Sequence, residues 1–234
     1  MKTYLLSDII GPTMIGPSSS HTAGAVKLGS IARALVQGDV KKVIFYLHGS
    51  FAATYKGHGT DRALVGGIMG MPPWSEDIRN ALALAEAAGI EYDFVPLDLG
   101  EVHPNTVRSV VTNSKGEVSS ITGSSIGGGS IRIIGLNQDE VDFSGDYPTL
   151  IVKHTDIPGV VAGVTRRLYE SGVNIAFMRV FRSSRGRGAT MVFETDQTVP
   201  RAVLEDLNAI PGISLVSFIA PIEPVGPNGS EEVL

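Results

Sequence analysis

Three polar, glycine-bearing segments hold most of the side chains in this sequence that could do chemistry. The first is Gly16-Pro17-Ser18-Ser19-Ser20-His21-Thr22. Its hydroxyls, and the free backbone N–H groups at the mouth of a helix, favour an anion such as a carboxylate. His21 adds a side chain that titrates near neutrality. The same run reads equally as Ser20 or Thr22 capping the helix, and it lacks the lysine of a phosphate-binding G-x-x-x-x-G-K-[ST] loop. The second segment, His48 to Asp61, puts two imidazoles (His48 and His58) and the Lys56 ammonium on a glycine-flanked loop between a strand and a helix. His58 suits proton transfer, the plain alternative being a surface histidine, and Asp61 reads as a helix cap. The third, Thr122 to Ser130, includes Ser124 and Gly128, and its successive N–H groups could form an anion-binding nest or a flexible hairpin tip. Together the three describe a polar pocket for a small anionic molecule.

Composition narrows the chemistry further. The chain has 234 residues, more than one typical domain, and two domains are expected. Nineteen Lys and Arg against 24 Asp and Glu leave a net charge of −5, without a long basic run, so neither nucleic acid nor an anionic membrane is an expected partner. No apolar window is long enough to span a bilayer, and the first residues lack a signal-peptide pattern, which gives a cytoplasmic expectation. Cysteine is absent, so disulfides, thiol nucleophiles and thiolate-held metals have no ligand in this chain. Glycine (28) and proline (13) are abundant, as in a protein with many backbone-lined turns.

The elements that must position these residues are α/β throughout. The spacing of Val26, Leu28, Ile31, Ala32 and Leu35 predicts a helix over Thr22 to Val36, and Val43, Phe45 and Leu47 fall on one side of a strand. Helices follow at Asp61 to Met69 and at Ser75 to Ala88, the latter capped by Ser75 and ended by Gly89. Strand patterns recur at Tyr92 to Pro96, Thr106 to Thr112, Glu117 to Thr122 and Ser130 to Leu136, with a hairpin turn at Asn113 to Gly116. The turn-prone run Gly145 to Pro148 marks a boundary. Beyond it Thr149 to His154, a helix opened by Pro158 and Gly159, strands Asn174 to Arg182 and Ala189 to Thr195, helix Pro200 to Asn208 and strand Ile213 to Ala220 follow a βαββαβ order. That order predicts an antiparallel four-stranded sheet with both helices on one face. Arg179, Arg182, Arg185 and Arg187 read as a solvated hairpin tip. The division is 1–147, 148–222 and a mobile tail, 223–234.

The runs GPTMIGPSSSHTAGAVKLG (Gly11 to Gly29), HGSFAATYKGHGTDRAL (His48 to Leu64) and GSSIGGGSI (Gly123 to Ile131) resemble the β subunit of iron–sulfur-dependent L-serine dehydratases. The second region, with HTDIPGVVAGV at His154 to Val164, resembles an ACT domain. The resemblance implies an N-terminal substrate-binding-like α/β domain followed by a ferredoxin-like ACT domain. It also implies β-elimination from L-serine to pyruvate and ammonia at a [4Fe–4S] cluster. The family's cluster cysteines lie in its α part; with none here, a separate α subunit is the implied partner and no metal ligand is expected in this chain.

By the same resemblance Ser18, Ser19, Ser20 and Thr22 form a substrate-carboxylate loop, and His21 and His58 are polar catalytic residues with His58 as base. Lys56, Thr60 and Asp61 orient it, and Ser124 to Gly129, with Ser124 and Gly128 as contacts, closes the pocket or meets the partner. Asp156, Ile157, Pro158 and Gly159 are the implied effector loop, with homotypic contact between ACT domains. The first region also resembles the allosteric substrate-binding domain of some phosphoglycerate dehydrogenases, so the alternative is a non-catalytic amino-acid sensor with an ACT module.

Overall fold

A computed structural model describes residues 13–36, 38–182 and 186–220. The expected tail at 223–234, the stretch before residue 13 and Arg185 lie outside the described residues. A π-helical turn, Ser20–Gly24, runs straight into helix α1 (Ala25–Ala34). Strand β1 (Val40–Leu47) then leads into α2 (Gly49–His58) and α3 (Thr60–Ile68). A 3₁₀ turn (Glu76–Asn80) opens α4 (Ala81–Ala87), followed by β2 (Glu91–Pro96), β3 (Thr106–Asn113), β4 (Val118–Gly127), β5 (Ser130–Leu136) and β6 (Asp139–Phe143). The second part comprises β7 (Thr149–Thr155), α5 (Val160–Glu170), β8 (Ile175–Arg182), β9 (Gly188–Thr195), α6 (Arg201–Asn208) and β10 (Ile213–Ile219).

The first six strands form one sheet in the order β2-β1-β3-β4-β5-β6, parallel between β1 and β2 and antiparallel elsewhere. Val43, Phe45 and Leu47 are fully buried on one side of β1 and join Leu28, Ile31, Leu64 and Ile68 in a common core. This follows the two-residue period of the strand and the 3.6-residue period of the helices. The last four strands form an antiparallel sheet in the order β10-β7-β9-β8. Leu150, Val152, Met191 and Phe193 face Val164 and Leu168 of α5 and Leu207 of α6, so both helices cover one face.

The opposite face does not meet water everywhere: Ile151, Val192 and Ile219 belong to the core of the first sheet. That double cover explains why β9 reads as an almost unbroken buried run. Polar contacts fasten the same seam. Glu194 of β9, 3% exposed, accepts the Ser144 amide at 3.0 Å and the Ser144 hydroxyl at 2.6 Å. Lys153 of β7 pairs with Asp139 at 2.7 Å.

Several expectations change locally. The segment after His48 is a helix and not a loop, entered through Gly49 at φ 54° with the Ser50 amide donating to the Pro104 carbonyl at 2.8 Å. The helix expected from Ser75 starts as a 3₁₀ turn, although Ser75 does accept the Asp77 amide. Strand β6 is not among the expected elements because its alternation, with Val141 and Phe143 buried, spans only five residues, three of them charged (Asp139, Glu140 and Asp142). Strand β4 runs on to Gly127, so Ser124 and Ser125 are strand residues. Only Gly128 and Gly129 form the tip, both at positive φ as a two-residue type I′ turn requires. The alternative of a hairpin tip describes the third segment, and the nest does not. Pro158 lies ahead of α5, whose N-cap is Gly159 at φ 94°.

Candidate functional site

Two glycines set the frame. A Cβ on Gly67 of α3 would stand 2.1 Å from the Val26 carbonyl oxygen, and one on Gly29 of α1 would stand 2.3 Å from the Leu64 carbonyl oxygen. The backbones of α1 and α3 therefore touch. At its end, the π-helical turn lies on β4, where a Cβ on Gly24 would collide with Ser125 Oγ at 2.0 Å. These close approaches anchor the turn that carries His21.

His21 is 7% exposed. Its ring meets the edge of Phe51 at 5.2 Å and of His58 at 4.7 Å between centroids. Ser18 Oγ lies 3.2 Å from Nδ1, and Thr54 Oγ1 lies 3.1 Å from Nε2. Burial, and secondarily the field of His58, holds the imidazole below its ordinary value, so it is neutral at pH 7. Neither Ser20 nor Thr22 makes a cap hydrogen bond; Ser18 Oγ, at 3.4 Å from the His21 amide, comes nearest to that role. Thr22 is buried against Gly16, where a Cβ would stand 2.1 Å from Thr22 Oγ1.

His58 ends α2, and Gly59 in the left-handed region (φ 73°) turns the chain directly into α3. The ten residues of α2 hold His48 and His58 about 15 Å apart, so the two imidazoles of the second segment do not meet. His58 instead meets His21 from the first segment. Among the described residues no hydrogen bond joins His58 to Lys56, Thr60 or Asp61. Asp61 is buried in the first turn of α3, beyond the Gly59 cap position, and accepts the Arg62 amide at 2.8 Å. Burial raises its carboxyl above the usual range, against the smaller opposing effects of the Arg62 amide, Arg62 and Lys56. Thr60 is fully buried and its hydroxyl has no partner among the described residues.

A cavity of about 270 Å³ opens beside this pair, lined by Thr22, Lys56, His58, Arg62 and Arg79 and by Gly16, Pro17, Gly57 and Gly59. Three cations and no carboxylate face it. Arg62 and Arg79 are exposed helix-surface residues, and sequence reasoning missed them together with Thr54; Ser125 lay within the Ser124 to Gly129 segment expected to close the pocket or meet the partner. The only signal for Arg62 was its place next to Asp61. Ser124 is not part of this group: Gly123 and Ser125 face α1 and its leading turn, so Ser124 points to the opposite face. There it pairs with Thr106 Oγ1 at 2.7 Å. Gly128 sits at the exposed hairpin tip.

In the second part, Asp156 pairs with Arg182 and accepts the Gly186 amide at 3.3 Å, and its own amide donates to the Arg187 carbonyl at 2.7 Å. Arg182, then the Gly186 amide, holds its carboxyl below the usual range. Asp156 is thus clasped by the β8–β9 hairpin, whereas Ile157 stays 46% exposed. Arg179 and Arg182 are exposed, as a solvated hairpin requires, and each also holds a carboxylate: Arg179 reaches Asp142 and Glu194, and Arg182 reaches Asp156.

The βαββαβ sheet belongs to a recognised class: residues 148–212 match the ACT domain model, so this is an α/β unit joined to an ACT domain. Residues 10–98, which carry both histidines and the cationic cavity, match the serine dehydratase beta chain model. The chain is 44% identical to the probable L-serine dehydratase beta chain of Bacillus subtilis, over 94% of this chain and 100% of that one. It is 37% identical to the L-serine dehydratase beta chain of Peptoniphilus asaccharolyticus, over 94% and 99%. It is also 29% identical to D-3-phosphoglycerate dehydrogenase of Methanocaldococcus jannaschii, over 88% of this chain but 38% of that one. The chain belongs to the serine dehydratase beta chain family. Among the described residues no helix is long and apolar enough to cross a membrane.

Proposed function

We propose that this chain is the β subunit of an L-serine dehydratase that works with a separate α subunit and converts L-serine to pyruvate and ammonia. The observation that carries this reading is the His21–His58 pair, 4.7 Å between centroids, beside a cavity lined by Lys56, Arg62 and Arg79. The elimination removes the α-proton and the β-hydroxyl; the aminoacrylate formed tautomerises to an imine, which water hydrolyses to pyruvate and ammonia. The cations suit the substrate carboxylate. His58 serves as the base, because its ring nitrogens carry no hydrogen bond to a described residue, whereas both nitrogens of His21 are engaged. His21 supports His58 edge-on.

This chain's own residues do not fit an iron–sulfur cluster. It has no cysteine, and among the described residues no three His, Asp or Glu side chains are grouped to hold a metal ion. Under this proposal a [4Fe–4S] cluster would be held by the α subunit, where it would supply a Lewis acid for the departing hydroxide. In this reading residues 1–147 shape the substrate pocket. The ACT domain, with the loop Asp156 to Gly159, binds an effector and pairs with a second copy. Anaerobic mixing with a cysteine-bearing α chain, after cluster reconstitution, yields pyruvate from serine, and His58→Ala abolishes it without loss of assembly. Serine binding by the lone chain with no turnover in any reconstituted mixture supports the amino-acid sensor instead.

A further inference from the structure

We propose that Thr54, on α2, is a positioning residue that decides which nitrogen of His21 carries the proton and so turns Ser18 into a hydrogen-bond acceptor for the substrate. The reasoning follows the protons. Thr54 Oγ1 lies 2.7 Å from the Ser50 carbonyl oxygen, which can only accept, so the Thr54 hydroxyl hydrogen is spent there. Its 3.1 Å contact with His21 Nε2 must then take its hydrogen from the ring. A neutral imidazole has one N–H, so Nδ1 is bare. The hydrogen of the 3.2 Å contact between Ser18 Oγ and Nδ1 therefore comes from Ser18.

One directed chain results: Ser18 O–H to His21 Nδ1, His21 Nε2–H to Thr54, and Thr54 O–H to the Ser50 carbonyl. Its far end is rigid, because Ser50 and Thr54 are one turn apart on the same helix. The consequence for recognition is specific. With its hydrogen committed inward, Ser18 cannot donate to a carboxylate; its free lone pair meets a donor, the substrate ammonium. The carboxylate falls to Lys56, Arg62 and Arg79, which line the cavity together with Pro17, the neighbour of Ser18. This consequence for the substrate rests on the dehydratase reading; the tautomer does not.

The test has two readouts. Long-range ¹H–¹⁵N correlation spectra of the full chain report the His21 tautomer directly, with an Nε2–H ring expected in the native protein and in Thr54→Ser. Thr54→Val, similar in shape but unable to accept, shifts the ring toward Nδ1–H, which then donates to Ser18 and turns the Ser18 hydroxyl outward. In the assembled enzyme Thr54→Val raises KM for serine about tenfold or more, by loss of a hydrogen bond to a charged group, and Thr54→Ser restores it. An Nδ1–H ring in the native chain, or an unchanged tautomer in Thr54→Val, overturns the role of Thr54. An inverted tautomer with an unchanged KM overturns the assignment of Ser18 to the ammonium. Absence of turnover in the native assembly counts against the dehydratase reading alone, since the spectra need no reaction.

Discussion

The contact between α1 and α3 invites a substitution whose outcome can be worked out atom by atom. A Cβ at Gly67 meets the Val26 carbonyl oxygen at 2.1 Å, the Ser30 amide nitrogen at 2.8 Å and Gly29 Cα at 2.9 Å. All three are backbone, so no side chain can swing aside. Reaching ordinary van der Waals separation needs about 1 Å of displacement between the helices, at an overpacking cost of roughly 1 to 3 kcal/mol. The change to alanine returns up to about 1 kcal/mol of helix propensity. Gly66, on the same helix, supplies the matched control. There a Cβ stands 3.3 Å from Ile78 Cγ1 and 3.5 Å from Met71 Sδ, both mobile side-chain ends. Gly67→Ala is therefore expected to melt several degrees below Gly66→Ala, at roughly 2 to 4 °C per kcal/mol for a chain of this size. The same displacement moves His21 relative to His58, and a 1 Å error in such a pair can cost about a hundredfold in rate. Equal melting temperatures and equal turnover for the two variants would refute the argument that direct backbone contact sets this site.

Other outcomes are equally specific. Arg62→Leu raises KM for serine about tenfold in the assembled enzyme through loss of a charged partner, with little change in melting temperature because the side chain is exposed; an unchanged KM removes Arg62 from the site. His21, held below its ordinary value of 6.5, binds fewer protons folded than unfolded. Its contribution to stability is full above that value and is lost as pH falls through the lower folded value. Urea midpoints of His21→Gln below pH 6.5 therefore fall less steeply than those of the native chain. Asp61 has the opposite sign, its contribution present below 3.8 and lost as pH rises through the higher folded value. Glu194→Ala strands the two Ser144 donors and costs about 1 to 3 kcal/mol, visible as faster proteolysis between the two sheets. Gly128→Val strains a residue at φ 61° by about 1 to 2 kcal/mol yet leaves KM unchanged, and a raised KM returns the hairpin tip to the site.

Much of this fold was legible because the signals are local. The two-residue alternation of Val43, Phe45 and Leu47, the turn at Asn113 to Gly116 and the βαββαβ order each depend on neighbours in sequence. The site was legible in composition but not in arrangement. His48 and His58 lie in one segment, yet a helix separates them; His21 and His58 lie 37 positions apart and meet. Ser124 and Ser125 are adjacent, yet the pleat sends them to opposite faces, and only Ser125 faces the turn that carries His21. Thr54 lies within the run His48 to Leu64 but drew no role there, and its importance rests on where one hydroxyl hydrogen goes.

The amino-acid order alone settled most of the element types, the family and the absence of any thiolate ligand, because periodicity, motif and residue count need no third dimension. Tertiary structure decided which side chains share a cavity, which proton His21 keeps and why β9 is buried on both faces. Those depend on the close backbone contact at Gly29 and Gly67 and on the second sheet packing against the first.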